Sequence, residues 1–360
     1  MNAILKYIAY EKGLKPLLFQ LQPETAHEFA ASSLKIAEGL PLFKHAIKSI
    51  LDYHHPILET EVSGIKFPNP VGMAAGFDKT AELYPMLSYM GFGHIEIGTI
   101  TKFAQAGNEP PRLFRFPEKE ALINRMGFNN PGADQAMQTI QAQKKIAIRG
   151  VNAGKSKITP LEDSIQDYSY TFKKLLPFCD YAVMNVSSPN TPGLRSLQSV
   201  KELEKLVIGV KQEIGGVFPK PFFLKFAPDL AFEDLDANLE ALPDWGIQGV
   251  ILTNTTLDKS IFPNPPEGGL SGFPLFEKSL SYVRHSYKIL RGKIPIVGVG
   301  GITSPQRAEA MIRAGANLIQ IYTGYIFNGP FFPSEICKHL QKVLSKEGLL
   351  SLSDLVGSDH

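Results

Sequence analysis

The stretch KIPIVGVGGITSPQRAEAMIRAGANLIQIYTG at 293–324 sets the fold. It opens with an apolar run at 294–299, breaks at Gly300-Gly301, crosses a helical stretch and returns to a second apolar run at 318–322. Neither run alternates strictly between apolar and polar residues. That suits strands covered on both faces, and a helix between two such strands is the crossover of a parallel pair. Further runs of this kind occupy 69–75, 94–99, 147–152, 181–186, 221–226 and 249–253, with helical stretches between them. Eight parallel strands is the number that closes a barrel, so the chain reads as α/β, a (β/α)₈ TIM barrel. The gap at about 100–146 is too long for one crossover helix and must also hold an inserted loop.

About 50 residues in front of the barrel differ in character and read as two or three helices. The expected organisation is an N-terminal helical extension at 1–50, the barrel at 51–346 and a C-terminal tail at 347–360. Pro23 suits the first turn of the second helix, whose small apolar stripe is Ala26, Phe29, Ala30, Ser33 and Ala37. The first segment sets Ile4, Leu5, Ile8, Leu14, Leu17, Leu18 and Leu21 beside Lys6, Lys12 and Lys15. Two readings stay open for it: an amphipathic helix lying in a membrane interface, or a face that packs on the barrel.

With 37 basic and 35 acidic side chains the formal charge is only +2, which gives no reason to expect nucleic acid as a partner. Cys179 and Cys337 are far apart and outside any ligand cluster, against a disulfide framework or a zinc site. No apolar run approaches the roughly 20 residues that span a bilayer. A protein in a reducing compartment, attached to a membrane surface at most, fits these facts.

A barrel of this kind carries its active site at the carboxyl ends of the strands. Here those ends supply Ala75-Gly76-Phe77-Asp78-Lys79, Thr99, Asn152, Asn185 to Asn190, Lys225, Thr253-Asn254-Thr255, Gly300-Gly301 and Tyr322-Thr323-Gly324. The insertion adds Asn124 to Asn130. Amides and two lysines dominate, and no histidine or carboxylate cluster stands ready for a metal. Amides offer a donor and an acceptor together, so the mouth suits a planar, anionic ligand with imide or urea edges. The glycines at 300–301 and in GGLSG at 268–272 either form tight turns or let backbone N–H groups approach a phosphate. Asn129 and Asn130 read as turn residues.

The segments AAGFDK (74–79), NRMGFNN (124–130), NVSSPNTPGLR (185–195), LTNTT (252–256), GGLSG (268–272), GVGGI (298–302) and QIYTG (320–324) resemble, in this order, the signature segments of the dihydroorotate dehydrogenase family. LFQLQPETAHEF (18–29) and GNEPPRLFRF (107–116) are similar to its quinone-dependent class. The resemblance implies flavin mononucleotide (FMN) held by Ala75, Gly76, Phe77, Asp78, Lys79, Thr99, Asn152, Asn185, Lys225 and Thr253, with its phosphate against Gly272, Gly301, Tyr322 and Thr323. Dihydroorotate would meet Lys79, Asn124, Arg125, Met126, Gly127, Phe128, Asn185, Asn190, Asn254 and Thr255, with Ser188 as the base. The soluble classes carry Cys where this chain has Ser188.

His27, Arg112 and Tyr322 would line a quinone passage beneath the extension, although His27 and Arg112 read equally well as ordinary hydrogen-bonding surface residues. The expected setting is oxidation of (S)-dihydroorotate in pyrimidine biosynthesis by a monomer, peripheral on the cytoplasmic side of the cell membrane. Other flavin barrels, such as dihydropyrimidine or dihydrouridine reductases, are rivals, as is a barrel kept only as a binding module.

Overall fold

The computed structural model describes residues 6–360 apart from Pro192. Ile4 and Leu5, expected on the apolar face of the first segment, lie outside the described residues, as does the side chain of Lys6.

Thirteen strands are described, and eight of them close a parallel barrel. A short hairpin comes first, β1 (Thr60–Val62) and β2 (Ile65–Phe67). The barrel staves are β3 (Val71–Met73), β4 (His94–Ile100), β7 (Ile148–Ala153), β8 (Tyr181–Asn185), β9 (Phe222–Phe226), β10 (Gly249–Leu252), β12 (Ile296–Val299) and β13 (Leu318–Ile321). They pair in that order, and β13 returns to β3 through Ile319↔Val71 and Ile321↔Met73. All eight runs expected from the sequence are staves.

Neither the hairpin nor the remaining three strands are among the eight runs expected from the sequence. β5 (Leu113–Phe116) and β6 (Ala121–Asn124) come from the long insertion. β11 (Gly269–Gly272) comes from the GGLSG segment. They form one antiparallel sheet in the order β11-β6-β5 over the mouth of the barrel.

The staves are largely apolar on both faces because each face has a core to meet. Side chains pointing outward, such as Ala182, Met184, Leu224 and Ile319, join the large core under the helices. Those pointing inward, such as Val183, Phe223, Ile251, Val297 and Leu318, fill the lumen with Val62, Ile65 and Phe67 of the hairpin, which closes the lower end. The lumen turns polar towards the mouth. On β4, period-two alternation sends His94 and Glu96 inward while Ile95 and Ile97 face the helices.

The extension consists of a π-helical segment (Lys6–Leu14) and helices Lys15–Gln20, Pro23–Glu38 and Pro41–Leu51. Polar contacts fasten it to the barrel, among them an ion pair of Lys35 with Glu82 at 2.5 Å. Tyr10 donates to the carbonyl of Ile326 at 2.6 Å, Arg112 pairs with Glu24 at 2.7 Å, and Arg115 donates to the carbonyls of Phe19 and Leu21 at 2.8 and 3.0 Å. Its outer surface leaves Ile8, Leu17, Phe29, Ile36, Leu40, Leu42 and Phe43 exposed, Leu42 to 90%. No helix among the described residues is long and apolar enough to cross a membrane. At the other end the tail is folded against the barrel: Leu352 and Leu355 are fully buried, and the Ser351–Asp354 capping box starts their turn.

Candidate active site

The strand ends and the β5-β6-β11 sheet enclose a chamber at the mouth of the barrel. Its floor is a hydrogen-bond network that the lumen supports. Asn152 Oδ1 accepts from Thr99 Oγ1 at 2.6 Å and from Asn185 Nδ2 at 3.1 Å, while Asn152 Nδ2 donates to Glu96 at 2.7 Å. Gln320 donates to the other Glu96 oxygen at 2.7 Å, and Lys225 Nζ lies 3.9 Å away from the carboxylate. Glu96 is fully buried and Lys225 is 5% exposed. Burial pushes the Lys225 amine below its ordinary value and Glu96 pulls it back up. A buried carboxylate would be costly alone, and its two amide partners and the ammonium offset that cost.

One wall of the chamber is built from backbone. Gly272 and Gly301 have φ of 96° and 68°, and a Cβ on Gly301 would stand 2.5 Å from Phe276, so only glycine brings the chain this close. Ser271 and Thr323 share a hydrogen bond at 2.9 Å beside them. Together they leave backbone N–H groups and hydroxyls facing a space fit for a phosphate. Gly268 and Gly269 do not belong to this cradle. Added side chains there would meet Asn124 and Thr255, so these glycines serve close packing of β11 on its neighbours.

The opposite wall carries the amides. Asn190 Nδ2 donates to Asn124 at 3.2 Å, Asn254 Nδ2 donates to Ser187 Oγ at 3.0 Å, and Asn254 Oδ1 accepts from the Thr255 N–H at 2.7 Å. Ser188 lies among them, 5% exposed, with its hydroxyl accepting from the Asn190 N–H at 3.3 Å. Met126, Gly127 and Phe128 complete the wall, and Lys79 reaches in from the β3 loop. Burial lowers the Lys79 amine to about 8, with Glu24 opposing and Arg112 adding to the fall.

A second, apolar cavity lies between the extension and the barrel. Leu14, Leu18, Phe19, Ala26, Phe29 and Ala30 line one side, and Phe77, Tyr325 and Ile326 the other. Leu113, Leu122 and Tyr322 line both cavities, so the two are separated by a wall one residue thick. His27 packs edge-on against Phe77 at 5.2 Å, and burial followed by the charge of Lys79 holds its imidazole down to about 3. It is neutral at ordinary pH.

Several expected site residues stand elsewhere. Asp78 is fully buried and accepts from the N–H groups of Leu83 and Tyr84, so it secures the loop and its carboxylate does not line the chamber. Burial raises its pKa to about 6 against those hydrogen bonds. Phe77 faces the apolar cavity, and Asn152 is fully buried within the floor network. Arg125 turns outward to the Pro111 carbonyl at 2.9 Å and lies 3.9 Å from Glu267. Arg112 is held by Glu24 and the carbonyls of Ala106 and Asn108, and it does not line the apolar cavity.

Arg115 lines that cavity, stacked 4.1 Å over Phe19. The signal was present in the sequence: on β5, Arg115 is two residues from Leu113 and shares its face. Glu96, likewise missed, is two residues from His94 on β4.

Residues 57–344 match the family model described as dihydroorotate dehydrogenase. A curated relative from Roseiflexus sp. (strain RS-1), named dihydroorotate dehydrogenase (quinone), is 43% identical over 349 residues, covering 96% of this chain and 97% of its own. One of the same name from Halobacterium salinarum is 42% identical over 351 residues, covering 96% and 99%. Among solved structures, ligand-free DHODH from Eimeria tenella superposes with a TM-score of 0.85 at 33% identity, over 94% of this chain and 99% of that one.

Proposed function

The chain belongs to the quinone-dependent dihydroorotate dehydrogenase family, flavin-dependent oxidoreductases of pyrimidine biosynthesis, and from that membership we propose that it oxidises (S)-dihydroorotate to orotate with FMN as cofactor and a membrane quinone as acceptor. The observation that carries the reading is the pair of cavities. A polar chamber lined by amides and an apolar cavity under the extension meet at Tyr322, Leu113 and Leu122, so one planar group at that wall would face a polar donor on one side and a lipid-soluble acceptor on the other.

The residues fit FMN. The Gly272–Gly301 cradle with Ser271 and Thr323 suits the phosphate, and Lys225 offers a donor to a ring above the floor beside Thr99 and Asn185. When bound, FMN would accept a hydride from carbon 6 of dihydroorotate and pass two electrons to the quinone. Lys225 places a positive charge where negative charge would develop. Lys79 pairs with the substrate carboxylate, and Asn124, Asn190, Asn254 and Thr255 match the edges of the pyrimidine.

Ser188 takes the proton from carbon 5. No imidazole or carboxylate is hydrogen-bonded to its hydroxyl among the described residues, so Ser188 would release its own hydroxyl proton to solvent as it takes the proton from carbon 5 and the hydride leaves carbon 6. On the acceptor side, His27 and Arg115 give the otherwise apolar cavity its polar contacts for a quinone head, and its tail leaves between the helices of the extension. The exposed apolar residues of those helices support attachment to a membrane surface, and we read the protein as a monomer, peripheral on the cytoplasmic side.

Anaerobic spectroscopy tests the proposal. Dihydroorotate should bleach the flavin and a quinone restore it, with fumarate and NAD ineffective. A flavin untouched by dihydroorotate, or one restored equally by fumarate, rejects it.

A further inference from the structure

Arg195 follows directly on the loop that carries Ser188, and its guanidinium reaches three different strand ends at once. Nε donates to the Ser187 carbonyl at 3.0 Å, Nη2 to the Thr255 carbonyl at 2.9 Å, and Nη1 to Asp229 at 2.8 Å. Those partners lie just beyond β8, β10 and β9 in turn. Asp229 is itself tied down by Lys278 at 2.7 Å, by the Leu257 N–H at 2.9 Å and by the Thr256 hydroxyl. Burial alone would raise the Asp229 carboxyl, but these partners and Arg195 bring it to about 2, so it stays ionised at working pH.

We propose that Arg195, anchored by Asp229, is a positioning residue that latches the Ser188 loop to the Asn254–Thr255 segment and so fixes the base against the substrate-binding amides. The proposal rests on the functional reading above. A planar fork with several N–H groups can span two carbonyls and a carboxylate; an ammonium on a single stem cannot hold that geometry. Proton removal is sensitive to displacement of about 1 Å, so a loosened latch slows the step that uses Ser188. It leaves the apolar cavity, on the far side of the Tyr322 wall, undisturbed.

The experiment compares Arg195→Ala, Arg195→Lys and Asp229→Asn with the parent holoenzyme, and uses Lys278→Ala as the control that removes a charge from Asp229 and a contact to the Thr256 hydroxyl while leaving Arg195 and its two carbonyl partners in place. Stopped-flow reduction by dihydroorotate should slow roughly 10- to 100-fold in both Arg195 variants, with a smaller fall in Asp229→Asn and little change in Lys278→Ala. Reoxidation of the pre-reduced enzymes by a short-chain quinone should stay near the parent rate. Amide hydrogen exchange should quicken in residues 186–191 of Arg195→Lys, a readout that needs no substrate.

Reduction at the parent rate in Arg195→Lys, or parallel loss of reduction, reoxidation and bound flavin, overturns the latch. Should Arg195→Ala fail to fold, the lysine and Asp229 variants decide. A parent enzyme that dihydroorotate does not reduce instead sinks the functional reading, and hydrogen exchange then still judges the latch.

Discussion

The polar chamber and the apolar cavity are adjacent yet assembled in opposite ways. The chamber takes its groups from rigid strand ends and locks each into hydrogen bonds, from Glu96 beneath the floor to Asn254 in the wall. The cavity is formed by the packing of short helices against the β5-β6 sheet and is fastened at few points, among them Tyr10, Glu24 and Arg115. Chemistry that must place a proton and a hydride to within fractions of an ångström suits the first arrangement. Admission of a greasy acceptor, which needs room and little orientation, suits the second.

If the two regions divide the reaction in this way, damage to one should spare the other. The largest effect is expected from Ser188→Ala, which should slow flavin reduction by dihydroorotate by about 10²- to 10⁴-fold and leave flavin content and quinone reoxidation unchanged. Ser188→Cys should retain more activity than the alanine variant because it keeps an ionisable proton acceptor. Equal reduction rates in the parent and the alanine variant would remove Ser188 from the mechanism.

A reciprocal lesion is Ala30→Trp, which fills the apolar cavity. The KM for quinone should rise by about tenfold or more, because a complex worth about 1.4 kcal/mol less is ten times weaker, while reduction by dihydroorotate stays intact. Slowed reduction in this variant would show that the wall at Tyr322 transmits strain and that the division is false. The outer surface offers a milder test. Leu42, 90% exposed, gives about 1.5 kcal/mol or more on burial, so Leu42→Glu should weaken binding to lipid vesicles by roughly tenfold without altering turnover of soluble quinone. Unchanged vesicle binding would dismiss this face as the attachment surface.

The smallest effect concerns pH. Lys79 has its pKa lowered to about 8 by burial, so it is charged below that value and neutral above it. Its attraction for the carboxylate of orotate is therefore present at lower pH and lost as pH rises through about 8. Orotate affinity should fall several-fold between about pH 7 and pH 9, because the charged fraction of an amine with a pKa of about 8 falls by at most about tenfold over that range. Lys79→Met should flatten the profile. A parent profile with no slope would free Lys79 from that role.

Local pattern was enough to reveal the eight staves, the helical extension and the amides at the strand ends, because strand burial, helix periodicity and the barrel's fixed active end are all written in neighbouring residues. Period-two alternation also carried Glu96 and Arg115, through His94 and Leu113, although neither stood out among residues of obvious chemistry. Other features exist only when distant segments meet. The sheet over the mouth joins 113–124 to 269–272, and no local periodicity announces a pairing across that separation.

The same holds for side-chain direction. Asp78 turns to the N–H groups of Leu83 and Tyr84, Arg112 to Glu24, and Arg125 to the Pro111 carbonyl, because each polar group settles where its hydrogen bonds are best satisfied. The sequence by itself determined which strands form the barrel and which kinds of group gather at its mouth. Only tertiary structure decided which of those groups face the chamber, which lie one layer beneath it, and that a single arginine at 195 spans three strand ends.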